Sequence, residues 1–323
     1  MGKSLVLVFH KESNGPLFEK IIVALKTRYR LVSIHELEQL LKDKKEMKNV
    51  CHISFDDGDR SFYDVIFPVL KKHQVPVSLF ISPDVISKNT NYWFQEVHDY
   101  DEKTIKEILS EQLNISPGKI SKTPFKIIFK SLSIQVIENV MEIYQQKTNC
   151  GIKAPGNINL EQLQELALSD LVTLGAHSLK HPILKNENDS DSNHEITASI
   201  KRLEALTGKP VKYFAFPNGL PGLDYGEREM NYLRNNNINM AFSTELDTLS
   251  AANNLLNIPR MSFDRMGLHP SNPLIFLGLN LGKTWMIIKS IGKRSEKKNR
   301  EKISRLLKSK ILLMTGLNIL HSL

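Results

Sequence analysis

Cysteine is scarce in this chain: 323 residues contain two, Cys51 and Cys150. Two thiols cannot build a disulfide framework, and Cys51, inside an apolar run, reads as a core residue. Long hydrophobic runs are missing too. No stretch approaches the roughly 20 apolar residues that a membrane-spanning helix needs. The first apolar run, 4–9, is six residues long and ends at His10. That is too short for the core of a secretory signal, and no small-residue cleavage site follows. "MGKSLV" has Val6 where N-myristoylation wants Ser or Thr. These absences predict an intracellular protein. Net positive charge is also missing from most of the chain, although the whole carries +8. Residues 283–310 hold eleven Lys or Arg against Glu296 and Glu301, a local +9, so the rest is close to neutral. A nucleic-acid function for the whole protein is therefore not expected.

What is present is an alternation of strand-like and helix-like segments. Apolar runs at 4–9, 31–34, 50–55, 75–81, 171–176, 211–216 and 238–243 read as seven strands. Helical periods lie between them, near 17–28, 35–45, 61–73, 193–207 and 225–236. On 61–73 the residues Phe62, Val65, Ile66, Val69 and Leu70 share one face, and Ser61 with Asp64 resembles a capping box. On 193–207 the face is Ile196, Ile200, Leu203 and Leu206, stopped by Gly208 and Pro210. Strand–helix alternation predicts parallel βα units, and seven of them suit a barrel. The stretch of about 92–150 shows no strand period and reads as a helical insertion. The predicted organisation is a barrel domain over 1–268 and a basic amphipathic tail over 269–323.

Polar residues gather just past the strand ends: His10, then Asp56-Asp57-Gly58, then "HSLKHP" at 177–182, then "PNG" at 217–219. In a parallel barrel these ends share the face on which chemistry is built. His177 and His181 are spaced i, i+4, so one turn can bring both rings together. Two imidazoles and a carboxylate make a three-ligand metal site with room for water or substrate. One aspartate can ligate and the other can act as a general base. A cation between them offsets the repulsion of adjacent carboxylates. Gly175 predicts a close backbone approach before the histidines, and Pro182 fixes the exit of the turn.

"SFDDGDRSFYDVIFPVLKK", "GAHSLKHPIL" and "LEALTGKPVKYFAFPNG", in that order, resemble the polysaccharide deacetylase family, carbohydrate esterase family 4. The resemblance covers roughly 4–263. It implies an α/β fold, a distorted (β/α)7 barrel, and metal-dependent removal of N-acetyl groups from sugars. It implies that Asp56 is the base, that Asp57, His177 and His181 are the metal ligands, and that Asn218 offers a backbone N–H to the oxyanion. The family's Arg-x-Pro-Tyr motif is degraded here: Pro217 matches, Ala215 replaces the arginine and Asn218 the tyrosine. Arg260, in "NIPRM", is the expected substitute for the arginine that orients the base. No late apolar–His motif supplies a general acid. Biofilm poly-N-acetylglucosamine deacetylases of this family place that acid after the first strand, and "LVLVFHKES" resembles their segment, giving the role to His10. His269, in "GLHP", is the rival. His35, His52, His73, His98, His194 and His321 have no partner pattern.

Borderline nitrogen and oxygen donors favour zinc, and cobalt or nickel would fit the same atoms. The expected substrate is an N-acetylated glycan or a lipid-linked sugar. Two other readings compete: a carbohydrate-binding barrel that has lost its chemistry, and a metal amidohydrolase acting on a non-sugar amide. The tail interleaves apolar residues with Lys and Arg. It suits either an anionic lipid surface, at the inner membrane face, or a helix packed on the barrel or a partner.

Overall fold

Strands with no polar alternation must be buried on both faces. The run at 4–9 becomes β1 (Leu5–Phe9), buried throughout. The computed structural model describes residues 2–262 and 296–307. The other strands are β2 (Arg30–Leu31), β3 (Val50–Asp56), β4 (Val77–Ile81), β5 (Val172–Ala176), β6 (Tyr213–Ala215), β7 (Met240–Phe242) and β8 (Met261–Ser262). All pair in parallel, in the order β7-β6-β5-β4-β3-β1-β8, with β2 on the start of β3. The seven strands of the main path curl into a distorted barrel. One segment closes it. The Ile258 N–H donates to Ala241 O, and Ile258 O accepts from Ser243. Three residues later Met261 pairs with Leu7 of β1.

The period of two divides the core. Leu5, Leu7 and Phe9 of β1 join Ile53 and Phe55 in packing against Phe18, Ile21, Ile22 and Leu25 of the helix Gly15–Lys26. Val6 faces the other way, into an interior cluster with Phe80, Tyr213, Met240, Phe242 and Ile258. Ile34, Leu37 and Leu41 of the helix Ile34–Lys42 join that interior. Its Glu38 accepts from Tyr213 Oη and Asn239 Nδ2, at the starts of β6 and β7, so the helix seals the end opposite the polar strand ends. Each fully buried Phe contributes about 1.5–3 kcal/mol.

Three local expectations change. The run 31–34 is strand only as far as Leu31, because the Ser33 hydroxyl accepts the Glu36 N–H and starts a helix at once. The seventh strand of the path is instead β8, whose two residues carry no readable period. The helix expected at 61–73 opens with a π-helical turn over Phe62–Ile66 before the α-helix Phe67–His73. Pro68 has no N–H to give to a regular α-ladder there. Ser61 does not cap it: its hydroxyl accepts the N–H of Glu12.

The described residues form two compact units. Residues 2–91 and 154–262 make the barrel, and Tyr92–Lys153 with 296–307 make the smaller unit. The smaller unit holds helices and no strand among its described residues. Ile105, Ile108 and Leu109 of the helix Glu102–Gln112 pack with Ile128, Phe129, Ile137 and Val140. The described part of the basic tail is a helix that buries Ile303 in this cluster. Lys130 pairs with Glu296 at 2.9 Å. The rest of the tail, including His269 and His321, lies outside the described residues. No described helix is long and apolar enough to cross a membrane.

Candidate metal centre

Because the strands are parallel, their C-terminal ends form one rim. His10 follows β1, Asp56 ends β3, His177 follows β5, and Pro217 lies two residues past β6. Asp57 sits on the shoulder of β3 with φ +70°, and the Gly58 N–H turns back to Asp56 O at 2.9 Å. A bond from i+2 to i around a positive-φ centre is a γ-turn of the rare, strained kind. Gly58 continues it at φ +72°, and a Cβ there would lie 3.0 Å from Ile81. The same device recurs after β6. Asn218 has φ +57°, with the Gly219 N–H on Pro217 O at 2.6 Å. In the histidine loop Ser178 and His181 are also left-handed, at φ +61° and +62°. Four such residues, Asp57, Ser178, His181 and Asn218, gather on this rim, and strain at a shared site is held in place by the surrounding fold.

Asp57 Oδ1 lies 3.7 Å from His177 Nε2 and 3.7 Å from His181 Nε2. All three residues are buried, and their ligand atoms lie within 4.8 Å of one another. Ligands about 2.1 Å from a tetrahedral zinc lie about 3.4 Å apart, so the spacing fits a cation between them. The tautomer fits too. His177 Nδ1 is 2.6 Å from Ala215 O, and a carbonyl only accepts, so Nδ1 carries the proton and Nε2 presents its lone pair. Gly175, where a Cβ would strike the Phe80 ring at 2.4 Å, lets β5 approach closely enough for this packing. Burial pushes the Asp57 carboxyl up; His10 and His177 oppose that and Asp56 adds to it. Burial, then His177, holds His181 well below the ordinary histidine range, as a neutral donor. A buried carboxyl that resists ionisation, beside the neutral His181 and a His177 whose Nε2 faces it, is a donor set that favours a divalent cation.

Asp56 is handled differently. Arg260 Nη1 donates to Oδ1 at 2.7 Å and Nη2 to Oδ2 at 2.8 Å. Burial raises the Asp56 carboxyl, but the charges of Arg260 and His177 and the Arg260 hydrogen bonds outweigh it and bring it down to about 2. Arg260 is fully buried, its guanidinium 5.5 Å from the Phe80 ring and 5.9 Å from Phe242, with Nε on Ser243 O. His10 Nε2 and His177 Nε2 each lie 4.0 Å from Asp56 Oδ2. The structure therefore brings His10, Asp56, Asp57, His177, His181 and Arg260 together. Asn218 stands on the same rim. Its side chain donates to Asp224, its carbonyl accepts from Thr244 Oγ1, and its backbone N–H meets no acceptor among the described residues.

Several supporting residues were not visible in the sequence. Glu195, Asp224, Ser54 and Ser82 all brace the rim. A signal existed for Glu195: Ser192, Glu195 and Ser199 sit at i, i+3, i+7 beside the apolar stripe of their helix, and all are buried. Burial lifts the Glu195 carboxyl to about 7, against the pull of the Lys180 and Leu179 amides. Histidines with no partner pattern in the sequence do have structural partners. His52 lies between Val32 O and Ser78 Oγ, and burial lowers it to about 4. His35 meets Tyr213, and His73 meets Glu19.

The fold is thus a parallel barrel that carries at its C-terminal rim an Asp-His-His donor set consistent with a divalent metal. The polysaccharide deacetylase family signature matches residues 43–117 and 133–241, more than half of the chain, and the chain belongs to that family. Among curated protein sequences none matches. Solved structures share the fold. IcaB from Ammonifex degensii is 16% identical with a TM-score of 0.55, covering 88% of this chain and 97% of its own. The Streptococcus pyogenes deacetylase PplD, in complex with acetate, is 16% identical at TM-score 0.53, covering 81% and 92%. The BpsB deacetylase domain from Bordetella bronchiseptica is 15% identical at 0.52, covering 80% and 95%.

Proposed function

We propose that this protein is a metal-dependent carbohydrate deacetylase that hydrolyses the N-acetyl group of a glycan or a lipid-linked sugar. The observation that carries the reading is the convergence of the Asp57, His177 and His181 donors beside a separate carboxylate, Asp56. Those three residues would hold the ion. Zinc suits one oxygen and two nitrogen donors, with cobalt or nickel as substitutes. When bound, a divalent ion supplies Lewis acidity, which acidifies water and polarises an acetamide carbonyl.

The chain's own groups do the rest. Asp56, kept ionised by Arg260, takes a proton from the attacking water. The Asn218 N–H, fixed by its γ-turn, donates to the carbonyl oxygen as it becomes negative. His10, as imidazolium, gives its proton to the amide nitrogen as the C–N bond breaks. An amine anion is a poor leaving group, so this proton is chemically necessary. The products are acetate and the free amino sugar.

The test is acetate release from N-acetylhexosamine oligomers and lipid-linked N-acetyl sugars. Chelation should abolish it and zinc or cobalt should restore it. Full activity in metal-free protein would overturn the mechanism. A loaded protein inert on every sugar but active on small amides would overturn the substrate class.

A further inference from the structure

The loop that carries both histidines is held from behind by one carboxylate oxygen. The Leu179 and Lys180 N–H groups both donate to Glu195 Oε2, at 2.9 and 3.0 Å. Ser178, just before them, is left-handed at φ +61°. Successive amides that point at one anionic atom after such a residue form a backbone nest, and here the anion is the protein's own side chain. Glu195 is itself rigidly placed. It is buried on the helix Asp189–Thr207, whose Ile196, Ile200 and Leu203 enter the core and whose first turn is capped by Asn188.

The two histidines are anchored differently. His177 is tied to the sheet: its N–H donates to Ile81 O, its O accepts from Ser82 Oγ, and its ring bonds Ala215 O. The His181 N–H bonds Ser178 Oγ, inside the loop itself. The distance between the two imidazoles therefore depends on the path of 178–180, which is the stretch that Glu195 gathers. We infer that Glu195 is a positioning residue for the metal centre, setting the loop that places His181 against His177. This rests on the reading of Asp57, His177 and His181 as ligands.

Cobalt(II) titration of the full-length, metal-stripped protein tests it, followed by the visible spectrum and by chelator competition. Wild type is compared with Glu195→Ala, Glu195→Gln, Glu195→Asp and Asp84→Asn. Asp84 is a buried carboxylate paired with Arg202 and Lys88, and serves as a stability control. Glu195→Ala should bind cobalt about 10–100-fold more weakly, with an altered spectrum, as for other residues that orient ligands. Glu195→Gln keeps an oxygen for both amides and should stay close to wild type. Glu195→Asp keeps the charge but is one methylene short, and should bind more weakly than Glu195→Gln. Asp84→Asn should lower the melting temperature and leave cobalt affinity unchanged.

The inference is overturned if Glu195→Ala binds cobalt like wild type, or if affinity follows melting temperature across all the variants. Should Glu195→Ala fail to fold, the remaining pair decides: Glu195→Asp equal to or tighter than Glu195→Gln overturns it. A wild type that takes up no cobalt removes the ligand assignment, and the inference with it.

Discussion

Arg260 grips both oxygens of Asp56 across 204 residues of chain, inside a barrel whose Phe80 and Phe242 rings flank the guanidinium. Neither partner is solvated. The pair reaches the candidate metal site through the 4.0 Å approach of His177 to Asp56.

Cutting this pair should separate stability from metal binding. Asp56→Asn should keep the metal and lose about 10²–10⁴-fold in acetate release. Arg260→Ala leaves Asp56 as an unmatched buried charge and should cost about 3–5 kcal/mol of stability as well. Metal analysis, kcat and urea unfolding read the three quantities. Equal metal loss in Asp56→Asn and Asp57→Asn would refute the division of roles between the adjacent carboxylates.

His10→Ala should bind metal normally, slow amide hydrolysis and flatten the alkaline limb of the pH–rate profile, since that limb reports loss of the acid's proton. An O-acetyl ester should suffer less, because an alkoxide leaves more readily than an amine anion. An ester and an amide slowed equally would remove His10 from the proton-donor role.

The buried Glu195 carboxyl makes a pH-dependent stability prediction. Its native pKa of about 7 stands above the ordinary 4.5, so the folded protein holds this proton more tightly than the unfolded chain. Its contribution is therefore largest below pH 4.5, falls as pH rises toward 7, and is flat above that. The slope approaches about 1.4 kcal/mol per pH unit inside the window. The groups that face it, Lys180 and Glu187, oppose each other. Glu195→Gln carries no titration, so its melting temperature should gain on wild type between those limits. A constant difference from pH 4 to 8 would contradict the assignment.

Ile303 is fully buried in the helical cluster of the smaller unit. Ile303→Ala should cost about 2–5 kcal/mol in the unfolding of that unit, whereas an exposed tail residue would change it by less than about 0.5. Calorimetry of the full chain distinguishes the two. A null effect would leave the lipid-surface reading as the better account of this helix.

The barrel and its rim were legible because their signals are local. Two-sided apolar runs announce β1, β3 and β4, and Asp-Asp-Gly and His-x-x-x-His-Pro mark the strand ends. Spacing alone could not say which aspartate faces the histidines; the Asp57 γ-turn decides it. Nor could it reveal β8, whose two residues are strand only because β1 offers them an edge. Arg260 was found through its resemblance to relatives, not through any pattern of its own. Asp224 escaped because a carboxylate that accepts a backbone amide from a loop leaves no periodic trace, and Glu195 left only the faint one of a buried polar stripe beside an apolar face. The capping box proposed at Ser61 failed for the opposite reason: a local pattern was present, but a distant amide, that of Glu12, had taken the hydroxyl.

The closing segment sets a timetable for assembly. A ribosome that has released the chain through His181 has already delivered β1, β3, β4, β5 and every proposed metal ligand. Asp56 at that stage has no guanidinium, and β1 still lacks one of its neighbours. Both needs are met at once, by the eight residues from Leu255 to Ser262. A chain cut before Leu255 should therefore lose the guanidinium and the β1 neighbour in one step and fail to close the barrel. Loss of those few residues strands a buried acid and opens two sheet edges together, the condition under which a half-made barrel pairs with another copy of itself.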